Sequence, residues 1–138
     1  YEENKGDITD WNLALEQLIG LPPNAGYTHM SGFWANPGDV VRPAYVTDPR
    51  AQMQLYFPND TDPEFKEWFE ENSKYSYEES AYPWTRLGYT YNWGDNGQEY
   101  GLTEFLIKEN APVKIAFTQT TEEFLGWLAN GAVTETIK

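Results

Sequence analysis

A glutamate inside an apolar run is the first residue whose setting suggests chemistry. In the stretch YGLTEFLI, strand alternation places Glu104 on the same face as Leu102 and Leu106, with Phe105 on the opposite face. Because both faces carry apolar residues, we expect this strand to be buried on both faces, where an unpaired carboxylate is costly. Glu104 is therefore predicted either to pair with an arginine or to face an enclosed ligand as a catalytic group.

The arginines form the second group with chemical potential. Only three are present, and two of them fall in predicted strands, Arg42 in VVRPAY and Arg86 in PWTRLGY. An arginine in a strand has a structural explanation if its side chain points outward or pairs with one of the 22 acidic residues. It has a functional explanation if it binds the phosphate or carboxylate of a ligand through two parallel hydrogen bonds. Both interpretations stay open for each arginine.

The net charge of the chain limits the classes of partner that we expect. The 138-residue chain carries a net charge of −13, which repels phosphate backbones and anionic lipid surfaces. We therefore expect no nucleic-acid-binding face, although a local basic pocket remains compatible with one anionic ligand. No apolar run is long enough to span a membrane, so no membrane association is predicted.

The inventory of metal ligands and nucleophiles is short. The sequence has no cysteine and a single histidine, His29, which excludes thiolate zinc sites, cysteine nucleophiles and chemistry that needs two histidines. We predict no metal and no bound cofactor. Because the sequence begins with Tyr1 and not with Met, we expect an excised domain or a processed product.

The surrounding elements predict an α+β fold, with an antiparallel sheet of about five to six strands and about three short helices in a single domain. Residues 1–8 are predicted to be loose and residues 9–138 to form the domain. Helix signals occur in TDWNLALEQLIG, in NDTDPEFKEWFEENS and in TTEEFLGWLANG, each with a capping residue at its start. The predicted strands are VVRPAYV, AQMQLYF, TRLGYTYNW, EYGLTEFLI, PVKIAFT and, at the end, AVTETI.

Three of these strands resemble, in order, the motifs of mono-ADP-ribosyltransferase toxins of the Arg–Ser/Thr–Glu class: RPAY, LGYTYN and TEFLIKENAPVKI. The resemblance implies that Arg42 contacts the phosphates of NAD, that Thr90 shapes the nicotinamide pocket, and that Glu104 stabilises the ribosyl cation. The family has Glu or Gln two residues before its catalytic glutamate, where this sequence has Leu102. That difference favours hydrolysis of NAD over transfer to a protein.

The chain is also similar to NAD glycohydrolases and to the C-terminal modules of polymorphic bacterial toxins. This likeness implies that Gln119 contacts the ligand and that NAD is a substrate, not a cofactor. It further implies secretion, delivery into a target cell as part of a larger protein, and a cognate immunity protein as partner. Arg86 and the rings of Trp84, Tyr89 and Tyr91 are the further candidates for substrate binding.

Two other functions stay open on the sequence. A metal-independent toxin ribonuclease would use Glu104, Arg86 and His29, although the negative charge is unfavourable for contact with RNA. An acidic, non-enzymatic inhibitor or immunity-type protein would present its carboxylates and exposed aromatic side chains to a basic partner.

Overall fold

Three α-helices and six antiparallel strands make up the computed structural model, which describes residues 6–80, 83–95 and 97–131. This arrangement confirms the predicted α+β class. In chain order the elements are α1 (Trp11–Ile19), β1 (His29–Ala35), β2 (Val40–Val41), α2 (Pro63–Lys74), β3 (Tyr89–Tyr91), β4 (Tyr100–Thr103), β5 (Leu106–Ile107), β6 (Val113–Thr120) and α3 (Thr121–Ala129). A 3₁₀ turn, Pro37–Asp39, precedes β2, and a π-helical turn, Tyr75–Glu79, continues α2.

The helices begin where the capping residues predicted. Asp10 and Asp62 accept backbone hydrogen bonds at the starts of α1 and α2, and Thr120 forms a reciprocal capping box with Glu123 at the start of α3. Gly20 ends α1 in the left-handed conformation, with φ of 72°. The capping side chains at these helix starts therefore act within three residues of themselves along the chain.

The strands do not form one sheet in the described part of the chain. They pair as three two-stranded ribbons, β1 with β6, β2 with β5, and β3 with β4. The predicted strand EYGLTEFLI is interrupted after Thr103, so that β4 pairs with β3 while β5 pairs with β2. The Glu104–Phe105 pair is the junction between the two ribbons, and this break sets the position of the carboxylate.

The longest ribbon contains a strand that the sequence did not predict. Residues of β1 lie in a stretch rich in Gly, Pro and Asn, yet they pair with β6 along their full length. The register shifts between Gly32 and Phe33, so Ala116 of β6 has no partner and forms a bulge. Gly32 is needed there because a β-carbon would overlap the Phe117 ring.

Two strand predictions have different outcomes. Residues 51–57, AQMQLYF, form bends and irregular backbone, so that prediction was wrong. The side chains of Leu55 and Tyr56 are largely exposed, and the stretch has no described neighbouring strand. The last predicted strand, AVTETI, lies outside the described residues.

An aromatic cluster on the inner face of α2 forms the centre of the packing. Phe69 is 3% exposed, and its ring lies 4.9 Å from that of Trp84 and 5.0 Å from that of Tyr45. Trp68, one residue earlier, meets Trp84 edge to face at 5.8 Å. This cluster packs the rings of α2 against Trp84 and holds that side chain in place.

Candidate active site around Glu104

Glu104 lines a cavity of about 370 Å³, which we call the Glu104 cavity. Its wall is assembled from five separate stretches of chain, which fall within residues 20–22, 43, 68–80, 83–84 and 104–106. The volume lies within the range typical of small-molecule sites, about 300–1,000 Å³. The cavity therefore has room for a ring and a sugar, with the remainder of a larger ligand outside it.

Glu104 is held by one hydrogen bond from its backbone amide and one to its carboxylate. The Glu104 amide donates to the Gly88 carbonyl at 2.9 Å, which ties the β4–β5 junction to the strand beside it. The Trp84 indole Nε1 donates to Glu104 Oε2 at 3.1 Å. Because Trp84 is itself packed against α2, the carboxylate is positioned from two sides.

Burial raises the pKa of Glu104 above its usual value, and the hydrogen bond from Trp84 opposes part of this rise. Among the described residues, no arginine or lysine forms an ion pair with this carboxylate. The group is thus half-buried without a compensating cation. Such an arrangement is typical of a carboxylate that acts on a ligand, since a structural carboxylate is usually paired.

The walls of the Glu104 cavity are aromatic and apolar on one side and polar on the other. Trp68 and Trp84 provide ring surfaces, and Pro43 is fully buried beneath them. On the polar side, the π-helical turn contributes Tyr75 and Ser76, where the Ser80 amide donates to the Tyr75 carbonyl at 2.8 Å. π-helical turns are rare and often lie at functional sites.

Arg42 is not among the residues that line the Glu104 cavity. Its Nη2 donates to the carbonyls of Asp48 and Ala51, both at 3.0 Å, and so holds the loop that follows the strand. Its aliphatic part packs against Gly88, where an added β-carbon would lie 2.5 Å from Arg42 Cγ and Cδ. The guanidinium is thus engaged by backbone carbonyls, and the phosphate contact that the resemblance implied for Arg42 stays a prediction.

Thr90 also has a structural role, because its hydroxyl bridges two elements of the fold. Its hydroxyl donates to the Leu18 carbonyl at 2.7 Å and accepts from the Leu102 amide at 2.9 Å. It therefore joins the end of α1 to the β3–β4 ribbon and does not line the Glu104 cavity.

The other predicted ligand contacts are distributed over the molecule. Tyr89 packs on Tyr100 at 5.2 Å, and burial raises its pKa. Tyr91 lines a second, separate cavity at the turn of the β3–β4 ribbon. Gln119 lies in β6, where its Oε1 is buried without a hydrogen-bond partner. Of the predicted aromatic contacts, the structure brings only Trp84 to Glu104.

Arg86 is not among the residues that line the Glu104 cavity, and its described side-chain contact is with Tyr77. The Tyr77 hydroxyl donates to the Trp84 carbonyl, and the Arg86 guanidinium carbon lies 5.2 Å from the centre of the Tyr77 ring. The sequence did not indicate Tyr77 or Trp68 as site residues, because a helical stripe of rings is equally typical of a plain core. The only available signal was the density of aromatic residues between positions 65 and 84.

The three residues of the ribonuclease hypothesis are not gathered at this cavity. His29 is exposed at the start of β1, and its Nδ1 forms a hydrogen bond with the Thr28 hydroxyl at 2.8 Å. It contributes nothing to the described wall around Glu104. The geometry therefore offers that hypothesis a carboxylate and a nearby arginine without the histidine.

Within residues 6–80, 83–95 and 97–131, no helix has the length and apolar character needed to cross a membrane. Over the same ranges, no three His, Asp or Glu side chains are grouped so as to hold a metal ion. Comparison of the chain with protein-family models, curated protein sequences and solved structures gave no match.

Proposed function

We propose that the chain is an NAD-consuming enzyme that hydrolyses the N-glycosidic bond between nicotinamide and ribose, with Glu104 as its catalytic residue. The observation that carries the proposal is the half-buried Glu104 carboxylate, which lies in an aromatic-walled cavity with no cation from the described residues paired to it. The resemblance of the TEFLI segment to the glutamate strand of NAD-cleaving toxins supports the choice of NAD.

The reaction requires a site for a flat ring and a negative charge beside the sugar. Nicotinamide leaves with the bonding electron pair, the ribose passes through an oxocarbenium-like state, and water adds to its C1′ carbon with loss of a proton. A carboxylate in a poorly hydrated site stabilises the developing positive charge more strongly than it would in water. Trp68 and Trp84 offer the ring surfaces against which nicotinamide would stack.

The size and polarity of the Glu104 cavity are consistent with this assignment. A volume of about 370 Å³ suits the nicotinamide ribosyl part, so the adenosine end of NAD would lie outside. The hydrogen bond from Trp84 to Glu104 Oε2 leaves Oε1 for the sugar. The carboxylate then acts as an electrostatic and positioning group on the ribose.

The test is release of nicotinamide from NAD by the purified chain, followed by liquid chromatography. Loss of one electrostatic contact of this kind lowers the rate by about 100-fold or more, so Glu104→Gln should lose nearly all activity while staying folded. Glu109→Gln is the matched control, since it removes an equal charge at an exposed position five residues away. A folded wild-type protein that releases no nicotinamide, or a Glu104→Gln variant as active as the control, would refute the proposal.

The proposal also includes the biological role that the resemblance implies, which is that of a toxin module delivered into a target cell. A delivered toxin module that depletes NAD would stop growth when it is expressed inside a bacterial host without its immunity protein. Expression of the wild-type chain should therefore be toxic, and expression of the Glu104→Gln variant should not. Equal growth with both chains would count against a toxin role without bearing on the chemistry.

A further inference from the structure

A second cavity, with a volume of about 510 Å³, lies at the turn of the β3–β4 ribbon, and we call it the turn cavity. Its wall is formed by residues 91–95 and 97–100 of the described chain, and none of them lines the Glu104 cavity. The volume is within the range typical of small-molecule sites. The proposed function assigns no role to this cavity, so a ligand for it is a separate question from hydrolysis of NAD.

Three aromatic residues line the turn cavity: Tyr91, Trp93 and Tyr100. Tyr91 and Tyr100 lie opposite each other in the ribbon, and the ring centre of Tyr100 is 5.2 Å from that of Tyr89. The Trp93 indole Nε1 donates to the Leu21 carbonyl at 2.7 Å, which ties this ring to the segment that follows α1. These contacts hold the rings in place, while Tyr100 is 63% exposed and so remains accessible to a ligand.

Hydrogen bonds fix the turn that carries these rings. Asn92 is only 5% exposed, its backbone amide donates to the Glu99 carbonyl at 2.9 Å, and its side-chain oxygen accepts from the Gly94 amide at 3.0 Å. A β-carbon at residue 94 would lie 3.1 Å from the Gln17 side chain, so α1 packs closely against the turn. The turn cavity is therefore formed before a ligand binds.

The charge of the turn cavity is negative. Asp95 and Glu99 belong to its wall and are exposed, and no lysine or arginine of the described residues lines it or forms an ion pair with either carboxylate. Burial raises the pKa of Tyr89, and the negative charge of Glu99 adds to this rise, so the charge of Glu99 is felt at the neighbouring rings. An anionic ligand is unfavourable here, whereas a cation is attracted by the carboxylates and by the negative faces of the rings.

We propose that the turn cavity binds an organic cation with a quaternary ammonium head group. The methyl groups of such a cation need no hydrogen-bond acceptors, so aromatic faces can replace the water around it. Asp95 and Glu99 supply the opposite charge and stay hydrated themselves, because both are exposed. A phosphate attached to the ligand would be repelled by the same two carboxylates, which favours compounds without one, such as choline or the side chain of trimethyllysine.

Binding is tested by titration of the isotope-labelled wild-type chain, followed by the NMR signals of its backbone amides. Choline is compared with 3,3-dimethylbutan-1-ol, which has a carbon atom in place of the charged nitrogen and nearly the same shape. We expect choline to bind about 10-fold more tightly and to shift the signals of Gly94 and Gly97, which line the turn cavity. Phosphocholine should bind more weakly than choline. An amide of acetylated trimethyllysine distinguishes a protein side chain from a free small molecule, since the tighter of this compound and choline identifies the source of the head group.

Two variants separate the ring contribution from the charge contribution. Tyr100→Leu removes one exposed ring and should weaken choline binding about 3-fold, with a much smaller change for the alcohol. Glu99→Gln should weaken binding of choline only, and this loss should diminish as salt is added. Tyr56→Leu and Glu109→Gln are the matched controls, because both residues are exposed and neither lines the turn cavity, and they should bind choline as the wild type does.

Equal affinity for choline and the alcohol would overturn the inference, as would shifts confined to the residues around Glu104. Equal losses in Tyr100→Leu and Tyr56→Leu, or tighter binding of phosphocholine or of glucose than of choline, would also overturn it. A chain that binds choline at the turn but releases no nicotinamide from NAD would refute the proposed function and leave this inference standing. A chain that releases nicotinamide but does not bind choline would do the reverse.

Discussion

Replacement of Thr90 by valine tests whether this residue is structural or catalytic. Valine keeps the shape of the side chain and removes the hydroxyl, which donates to the Leu18 carbonyl at 2.7 Å and accepts from the Leu102 amide at 2.9 Å. Leu18 lies in the last turn of α1, where carbonyls have no partner within the helix. The valine variant therefore leaves two backbone groups without their partner.

The expected loss of stability follows from these two hydrogen bonds. Each hydrogen bond contributes about 1 kcal/mol to stability, and the groups left behind are only partly buried, so water compensates some of the loss. We expect Thr90→Val to lower the free energy of unfolding by about 2 kcal/mol. For a chain of this length that corresponds to a fall in melting temperature of roughly 8 °C.

Urea unfolding followed by tryptophan fluorescence measures the loss directly. Thr90→Ser is the control, since it keeps the hydroxyl and should retain most of the stability, and it should also retain activity. A valine variant within about 0.5 kcal/mol of wild type would refute the bridging role, because that is the scatter of neutral surface substitutions. A valine variant that stays stable but loses its activity would restore a catalytic role for Thr90.

Two further predictions concern backbone and charge. Gly88→Ala should destabilise the fold by about 2 kcal/mol or more, because residue 88 has φ of 80° and its β-carbon would lie 2.5 Å from the Arg42 side chain. Gly26→Ala, with φ of 77° and open space around it, has the backbone strain alone, so equal losses in thermal unfolding would disprove the Arg42 contact. Because the pKa of Glu104 is raised by burial, the folded state binds the Glu104 proton more tightly than the unfolded state does. The contribution of Glu104 to stability therefore declines as the pH rises from the ordinary glutamate pKa through the pKa in the folded state. Glu104→Gln should therefore gain stability relative to wild type as the pH rises through that window, and parallel pH profiles in urea unfolding would contradict the burial effect.

The helices could be predicted because their signals are local. An aspartate or threonine that accepts a backbone N–H, as Asp62 and Thr120 do, acts within three residues of itself and needs no tertiary partner. The pairing of β1 with β6 could not be predicted in this way. It joins residues about 90 positions apart, and the glycine and bulge that allow it are unfavourable for strands in isolation.

The candidate site could likewise be predicted only where the signal is local. Alternation along the strand predicted that Glu104 and Leu106 face the same enclosed space, and both line the Glu104 cavity. It also predicted burial of Leu102 and Phe105, which are each 49% exposed because the strand changes partner at the Glu104–Phe105 junction. The direction of Arg42 depended on the 47–51 loop, whose carbonyls have no sequence signature.

Because the wall of the Glu104 cavity combines five stretches of chain between residues 20 and 106, the cavity exists only when all of them are in place. Any molecule that occupies it must then associate with the native chain and not with the unfolded one. Mass action turns such an affinity into heat resistance, by about 2.7 kcal/mol when the ligand is present at 100 times its dissociation constant. A library of nucleotides and sugars can therefore be ranked by melting temperature alone, before any product is assayed.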